Sequence, residues 1–124
     1  MIADDSPDVR ELWNLWLTSC GFVVEEACDG ADALRKVRSF RPDLVLMDVC
    51  MPVMDGLRAT ERLRADPLTA HLPILAVSAD VCAPAPQQAL DAGCDVFLSN
   101  LMSPQHLLHE VRAALRKSVA KATA

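Results

Sequence analysis

The sequence predicts a single α/β domain in which helices cover both faces of a parallel sheet. Helical segments alternate along the chain with short, strongly apolar segments, and this alternation is typical of parallel strands joined by right-handed crossovers. Two of the apolar segments, residues 44–47 and 73–77, are too short for helices and suit strands buried on both faces. A chain of 124 residues that is 52% hydrophobic can bury one core but is too short for two ordinary domains.

The first strand and the first helix are predicted from the opening residues. Only residues 1–3 precede an acidic pair, so the first strand is expected to be very short, and the chain could begin at a fragment boundary. Ser6 suits an N-cap and Pro7 the first position of a helix that runs to about Cys20. The apolar residues of this helix recur at helical spacing: Val9, Leu12, Trp13, Trp16 and Leu17.

A second strand and a second helix follow. Gly21 ends the first helix, and residues 22–27 form a short run rich in strand-forming residues. Asp29 is suited to cap a second helix, which Pro42 closes ahead of the apolar strand at residues 44–47. Its inward side is expected to carry Ala33, Leu34 and Val37.

The second half of the chain repeats the pattern. A turn-rich stretch at residues 51–56 precedes a third helix with Leu57, Thr60 and Leu63 inward, and then comes the strand at residues 73–77. Prolines at positions 84 and 86 delay the next helix, which is predicted over about residues 87–92.

The last strand and the last helix complete the domain. Residues 95–98 form the fifth strand, and Ser103 with Pro104 begins a final helix. Its inward positions are expected to be Leu107, Leu108, Val111 and Leu115. The domain is therefore expected over residues 1–118, with a frayed C-terminal tail at 119–124.

Charge and composition restrict the function classes. A net charge of −5 and a pI near 5.0 argue against a direct nucleic-acid surface, and no apolar stretch reaches the roughly 18 residues that a membrane span needs. The five cysteines are widely spaced, odd in number and without a C-x-x-C pair, so they are predicted to be reduced thiols. We expect a cytoplasmic protein that binds neither nucleic acid nor membrane.

Polar residues follow the strands at their carboxyl ends, where ligands collect in folds of this class. Asp4 and Asp5 follow the first strand, Asp48 follows the third and Ser78 follows the fourth. Three carboxylates are therefore expected to converge. Because like charges at close range repel strongly, the arrangement suggests either raised pKa values or a divalent cation, of which Mg²⁺ is the economical choice.

The expected chemistry is phosphoryl transfer to a carboxylate. Asp5 and Asp48 would bind Mg²⁺ directly and Asp4 through water. A carboxylate beside such an ion can attack phosphorus and form an acyl phosphate. The Ser78 hydroxyl would then donate a hydrogen bond to a phosphoryl oxygen.

Three segments of the chain resemble the signature segments of response-regulator receiver domains of two-component signalling. They are residues 2–6, residues 43–56 and residues 77–79, and the resemblance runs nearly end to end. It implies a flavodoxin-like fold with five helices around a five-stranded sheet of order 2-1-3-4-5.

The resemblance also assigns roles to individual positions. It implies that Asp48 is the phosphoacceptor and that the backbone carbonyl of Cys50 completes the metal shell. Ser78 resembles the switch hydroxyl, and Phe97 resembles the switch aromatic without the polar tip of a tyrosine. The implied acidic metal-binding pair is Asp4 and Asp5.

One position departs from the family pattern. Receiver domains usually have Lys-Pro after the last strand, whereas this chain has Asn100 at the lysine position and Leu101 at the proline position. An asparagine amide can donate a hydrogen bond but carries no positive charge. The loss of a charge-assisted contact is expected to weaken the coupling between phosphorylation and the switch.

The resemblance implies a phosphoacceptor domain in a phosphorelay rather than a classical enzyme, one that promotes only its own phosphotransfer and dephosphorylation. Its partners would be a sensor histidine kinase or phosphotransfer protein and a downstream output domain or protein, and the last helix–strand–helix face would also allow a homodimer. The alternative is a degenerate receiver that serves as a phosphorylation-independent docking or dimerisation module. A phosphatase is disfavoured, because the general acid expected two residues after the nucleophile is replaced by Cys50.

Overall fold

The structure, a computed structural model, describes residues 1–78, 86–99 and 103–123. Within these ranges it contains five strands and five helices in strict alternation. The strands are β1 (Ile2–Ala3), β2 (Glu26–Ala27), β3 (Val45–Asp48), β4 (Ile74–Ser78) and β5 (Val96–Ser99). The helices are α1 (Pro7–Ser19), α2 (Gly30–Phe40), α3 (Gly56–Ala65), α4 (Pro86–Ala92) and α5 (Pro104–Thr123).

The strands form one parallel sheet in the order β2-β1-β3-β4-β5, so the predicted flavodoxin-like architecture is confirmed. Asp48 at the end of β3 pairs in register with Val77 of β4, and Ser78 pairs with Ser99 of β5. The carboxyl ends of the three strands therefore meet at one edge of the sheet.

The core divides between the two faces of the sheet, as the apolar pattern of β3 requires. Val45 and Met47 point to the face covered by α2, α3 and α4, whereas Leu46 between them points to the face covered by α1 and α5. All three are at most 4% exposed. A strand buried on both faces needs apolar residues at every position rather than at alternate ones, which explains this run.

Helix starts are set by side-chain caps. Ser6 Oγ accepts a hydrogen bond from the Val9 N–H (3.4 Å), and Asp29 Oδ1 accepts one from the Asp32 N–H (2.7 Å), so both predicted caps are confirmed. Asp55 caps α3 in the same way, although the sequence had marked it only as part of a turn.

Two element boundaries differ from the prediction by more than one residue. The second strand covers only Glu26–Ala27 of the predicted residues 22–27, because its partner β1 offers only two residues for pairing. The last helix continues to Thr123, past the expected end of the domain at Ser118. The division of the chain at residue 118 stays a prediction.

None of the helices in the described residues has both the length and the apolar content needed to cross a bilayer. The four cysteines in these ranges are free thiols, and Cys82 lies outside them.

Candidate functional site

Three carboxylates meet at the carboxyl end of the sheet. Asp4 directly follows β1, Asp48 ends β3, and the pairing of Ala3 with Met47 makes these two positions neighbours across the strands. One carboxylate oxygen from each of Asp4, Asp5 and Asp48 lies within 4.8 Å of the others. The structure thus brings together all three aspartates that the sequence singled out.

Burial makes this cluster electrostatically unfavourable. Asp4 and Asp48 are only 8% and 6% exposed, whereas Asp5 is exposed. The pKa of Asp48 is raised to about 7, chiefly by burial and also by the charges of Asp4 and Asp5, although the Cys50 N–H opposes the rise by donating to Asp48 Oδ1 (3.0 Å). Without a bound cation, the folded protein therefore resists ionisation of Asp48.

Burial and a backbone hydrogen bond also act in opposite directions on the pKa of Asp4. Burial raises its pKa, and a hydrogen bond from the Ser6 N–H to Asp4 Oδ1 (2.8 Å) opposes the rise. Arg10 lies close by, but it donates to the backbone oxygen of Asp4 (2.7 Å) and forms its ion pair with Glu26 (3.1 Å). The nearby guanidinium is thus committed to groups outside the carboxylate cluster.

The donor set fits a hard divalent cation. Within the described ranges, none of the three carboxylates forms an ion pair with a lysine or arginine. Carboxylate oxygens are the ligands that Mg²⁺ prefers, and a cation would offset both the burial of these charges and their mutual repulsion. No other group of three or more potential ligands occurs in this part of the chain.

Other predicted site residues surround the cluster. Cys50 contacts Asp48 through its N–H, while the role of its carbonyl as a metal ligand stays a prediction. Ser78 lies at the carboxyl end of β4, on the strand adjacent to that of Asp48. Phe97 is half-buried and packs against the core on the α2–α4 side. The switching roles of Ser78 and Phe97 stay predictions.

Asn100, at the family's lysine position, lies outside the described residues, as does Leu101. The consequence of the missing lysine therefore rests on the sequence alone.

Two glycines that the sequence did not single out hold the site in shape. A Cβ at Gly56 would overlap the carbonyl oxygen of Asp48, so α3 can begin against this backbone only with glycine. A Cβ at Gly30 would likewise overlap the carbonyl oxygen of Met54, which accepts a hydrogen bond from the Gly30 N–H (2.9 Å). Each glycine follows a helix-capping aspartate, and that Asp-Gly pattern was the available signal.

The loop between β3 and α3 contains a strained turn. The Met54 N–H donates to the Pro52 carbonyl (2.7 Å), and Val53 between them has φ 67°. An i to i+2 hydrogen bond around a positive φ is the rare γ-turn, and a β-branched residue is strained in that conformation. Val53 is nonetheless 86% exposed, so no packing of its side chain compensates for the strain.

Comparison with known proteins places this geometry in a family. The family model described as the response regulator receiver domain matches residues 1–112 of this chain. Response regulator MprA of Mycobacterium ulcerans (strain Agy99) is 37% identical over 118 residues, which is 95% of this chain and 50% of MprA. The DNA-binding dual master transcriptional regulator RpaA of Synechocystis sp. (strain ATCC 27184 / PCC 6803 / Kazusa) is 32% identical over 118 residues, 95% of this chain and 49% of RpaA. The chain thus spans about half the length of these relatives.

A solved structure agrees in both sequence and shape. The crystal structure of a protein from Chloroflexus aurantiacus J-10-fl superposes with a TM-score of 0.87 at 34% identity. The match covers 93% of this chain and 94% of the other.

Proposed function

This chain belongs to the response regulator receiver domain family, and we propose that it accepts a phosphoryl group on Asp48 as a step of two-component signalling. The observation that carries the proposal is the burial of the Asp48 carboxyl group among two further carboxylates, an oxygen of each lying within 4.8 Å of the others. The donor would be a phosphohistidine on a sensor histidine kinase or on a phosphotransfer protein.

Asp48 is suited to act as the nucleophile. The Cys50 N–H orients the carboxylate by holding Oδ1, so attack on phosphorus falls to the other oxygen. A bond forms between this oxygen and phosphorus while the phosphorus–nitrogen bond of the phosphohistidine breaks, and the imidazole leaves with the electron pair. The raised pKa of Asp48 reflects a buried carboxylate, and a bound cation would favour the ionised form that attacks phosphorus.

The residues that would hold Mg²⁺ are Asp4, Asp5, Asp48 and the backbone carbonyl of Cys50. When bound, the ion supplies positive charge that offsets the carboxylates and the incoming phosphoryl oxygens. Three carboxylates and one Mg²⁺ still sum to −1, and Asn100 adds a hydrogen-bond donor but no charge. We therefore expect phosphorylation to be slower, or to shift the switch less, than a lysine at position 100 would allow.

The response to phosphorylation would run through Ser78 and Phe97. The Ser78 hydroxyl would donate to a phosphoryl oxygen, and the half-buried Phe97 ring would repack as β4 and β5 adjust. A receiver domain is not a classical enzyme, and we propose that this one promotes only its own phosphotransfer and dephosphorylation. The altered face around the last strands and helices would then change its affinity for an output domain, an output protein or a second copy.

Nucleic-acid binding is not proposed for this domain. RpaA is named as a DNA-binding regulator, and the chain spans only about half of its length. With a net charge of −5, this domain would repel a polyanion, so any DNA binding of a longer protein would belong to another part of it.

Incubation with phosphoramidate and Mg²⁺, followed by intact-mass analysis, tests the proposal. We expect a gain of one phosphoryl group that requires Mg²⁺, disappears in Asp48→Asn and persists in the matched control Asp43→Asn, which changes an exposed carboxylate outside the cluster. A gain that survives in Asp48→Asn, or no gain at any Mg²⁺ concentration, contradicts it.

The second candidate function is the phosphorylation-independent docking module. Asn100 favours it, because a receiver that has lost its lysine has lost a charged group of the switch. The same experiment separates the two candidates, because a docking module would gain no phosphoryl mass at any Mg²⁺ concentration.

A further inference from the structure

A continuous groove runs between α2 and α3 and along the loop that follows α3. It consists of two adjoining cavities of about 500 and about 620 Å³, which share Val37, Arg38, Asp66 and Thr69 in their walls. Together they form what we call the α2–α3 groove. Its size is in the range that accommodates several side chains of a bound segment.

Four arginines give this groove its charge. Arg38, Arg41, Arg58 and Arg62 all line it and are exposed. In the described part of the chain, none of the four has a carboxylate within 4.0 Å. The only acidic residues in the walls are Glu61 and Asp66, so the groove has two surplus positive charges in a chain of net charge −5.

An exposed leucine stands on the rim of the groove. Leu68 is 93% exposed, yet its loop is tightly hydrogen-bonded. The Leu68 N–H donates to Asp66 Oδ1 (3.0 Å), and the Thr69 hydroxyl donates to the Leu63 carbonyl (2.6 Å). Arg64 Nη1 ties the far end of the loop by donating to the Leu72 carbonyl (2.6 Å). A rigid loop presents an apolar side chain without the entropic loss that ordering a flexible loop would add on binding.

We propose that the α2–α3 groove binds an extended acidic segment of a partner protein. The planar guanidinium forks match carboxylates in a bidentate way, and the apolar walls with Leu68 match an aliphatic side chain between acidic residues. A nucleic acid fits less well, because the apolar walls and Leu68 have no counterpart in a sugar–phosphate backbone. Electrostatic attraction would favour this face, because the groove has two surplus positive charges in a chain of net charge −5.

The groove is separate from the acidic cluster. None of the three aspartates of the cluster lines either cavity of the groove. Binding therefore does not require phosphorylation, and the proposal stands or falls independently of the role of Asp48.

The probe for the test is a fluorescein-labelled peptide of alternating glutamate and leucine, compared with the same peptide carrying lysine in place of glutamate. Fluorescence anisotropy measures the affinity, and amide chemical shifts of the labelled protein map the contact. The test variant is Arg38→Glu with Arg62→Glu, and the matched control is Arg112→Glu with Arg116→Glu, two exposed arginines of α5 outside the groove.

We expect the glutamate peptide to bind and to shift amides of α2, α3 and the following loop. Charge reversal at Arg38 and Arg62 should weaken binding by about tenfold or more, from the loss of two ion pairs and the gain of repulsion. The matched control should bind within about twofold of the unmodified chain, and thermal melts should show that both variants fold. Absence of binding, equal loss in both variants, equal binding of the lysine peptide, or tighter binding of single-stranded DNA each overturns the proposal.

Discussion

Removal of the Asp48 charge is expected to stabilise the metal-free protein even as it abolishes phosphorylation. The pKa of this carboxyl group is raised from 3.8 to about 7, so the folded state prefers the protonated form. Below about pH 4 the group is protonated in both the folded and the unfolded state, and it does not favour either. Between about pH 4 and about pH 7 the unfolded chain ionises while the folded protein keeps its proton, so stability falls across this range and levels off above it.

The magnitude follows from the pKa difference. A rise from 3.8 to about 7 corresponds to at most about 4 kcal/mol. Because Asp4 and Asp5 titrate with Asp48 and the site relaxes, we expect about 2 kcal/mol for Asp48→Asn at about pH 8. Asparagine keeps an oxygen that can accept the hydrogen bond from the Cys50 N–H, so no buried donor is left unpaired.

Urea unfolding in the presence of a chelator, at several pH values, measures the effect. The difference in unfolding free energy between Asp48→Asn and the unmodified chain should be near zero at about pH 4 and should grow to about 2 kcal/mol by about pH 8. The matched control Glu11→Gln also removes one negative charge, but from an exposed position on α1, and its difference should stay flat. Added Mg²⁺ should stabilise the unmodified chain more than Asp48→Asn. Equal pH profiles for the two proteins, or a less stable Asp48→Asn at about pH 8, would refute the reasoning.

Three further substitutions test how the scaffold holds the site. Gly56→Ala should lower the free energy of unfolding by about 2 kcal/mol in urea titrations, although alanine is the better helix former, because the new Cβ overlaps the Asp48 carbonyl; equal stability contradicts this close packing. Val53→Asn should raise the unfolding free energy by about 1 kcal/mol, since asparagine tolerates positive φ and the exposed valine packs against little; a loss of stability shows that the turn is not strained. Arg64→Met should cost about 2 kcal/mol in thermal melts, because the Gly93 carbonyl and the loop carbonyls lose their donor, and Arg64→Lys should recover only part of it.

Much of the fold was predictable because each element is coded locally. The apolar run at residues 44–47 and the caps Ser6 and Asp29 determine their elements through burial and hydrogen bonds within a few residues. The second strand was predicted too long because its length depends on β1, a partner distant in sequence. Pairing between distant segments is the kind of information that local propensity does not contain.

The carboxylate cluster was predictable for a different reason. The topology of a parallel sheet brings the carboxyl ends of strands together, so the sequence positions of Asp4, Asp5 and Asp48 were enough. The contacts that stabilise the site were not predictable in this way. Gly30 meets Met54 and Arg64 reaches Gly93 through tertiary packing, and neither pair is close in sequence.

The three-dimensional structure also explains how the fold tolerates like charges at its site. The N-terminal end of α1 supplies the Ser6 N–H to Asp4, and the N-terminal end of α3 abuts the backbone of Asp48 at Gly56. Helix N-termini carry partial positive charge, so the start of α1 lowers the energy of the buried Asp4 carboxylate. The helix terminus and the backbone hydrogen bonds compensate only in part for burial, because the pKa values of Asp4 and Asp48 stay raised. A bound cation would offset the remaining cost of burying these charges close together, and a fold that removed this cost by other means would bind the cation more weakly.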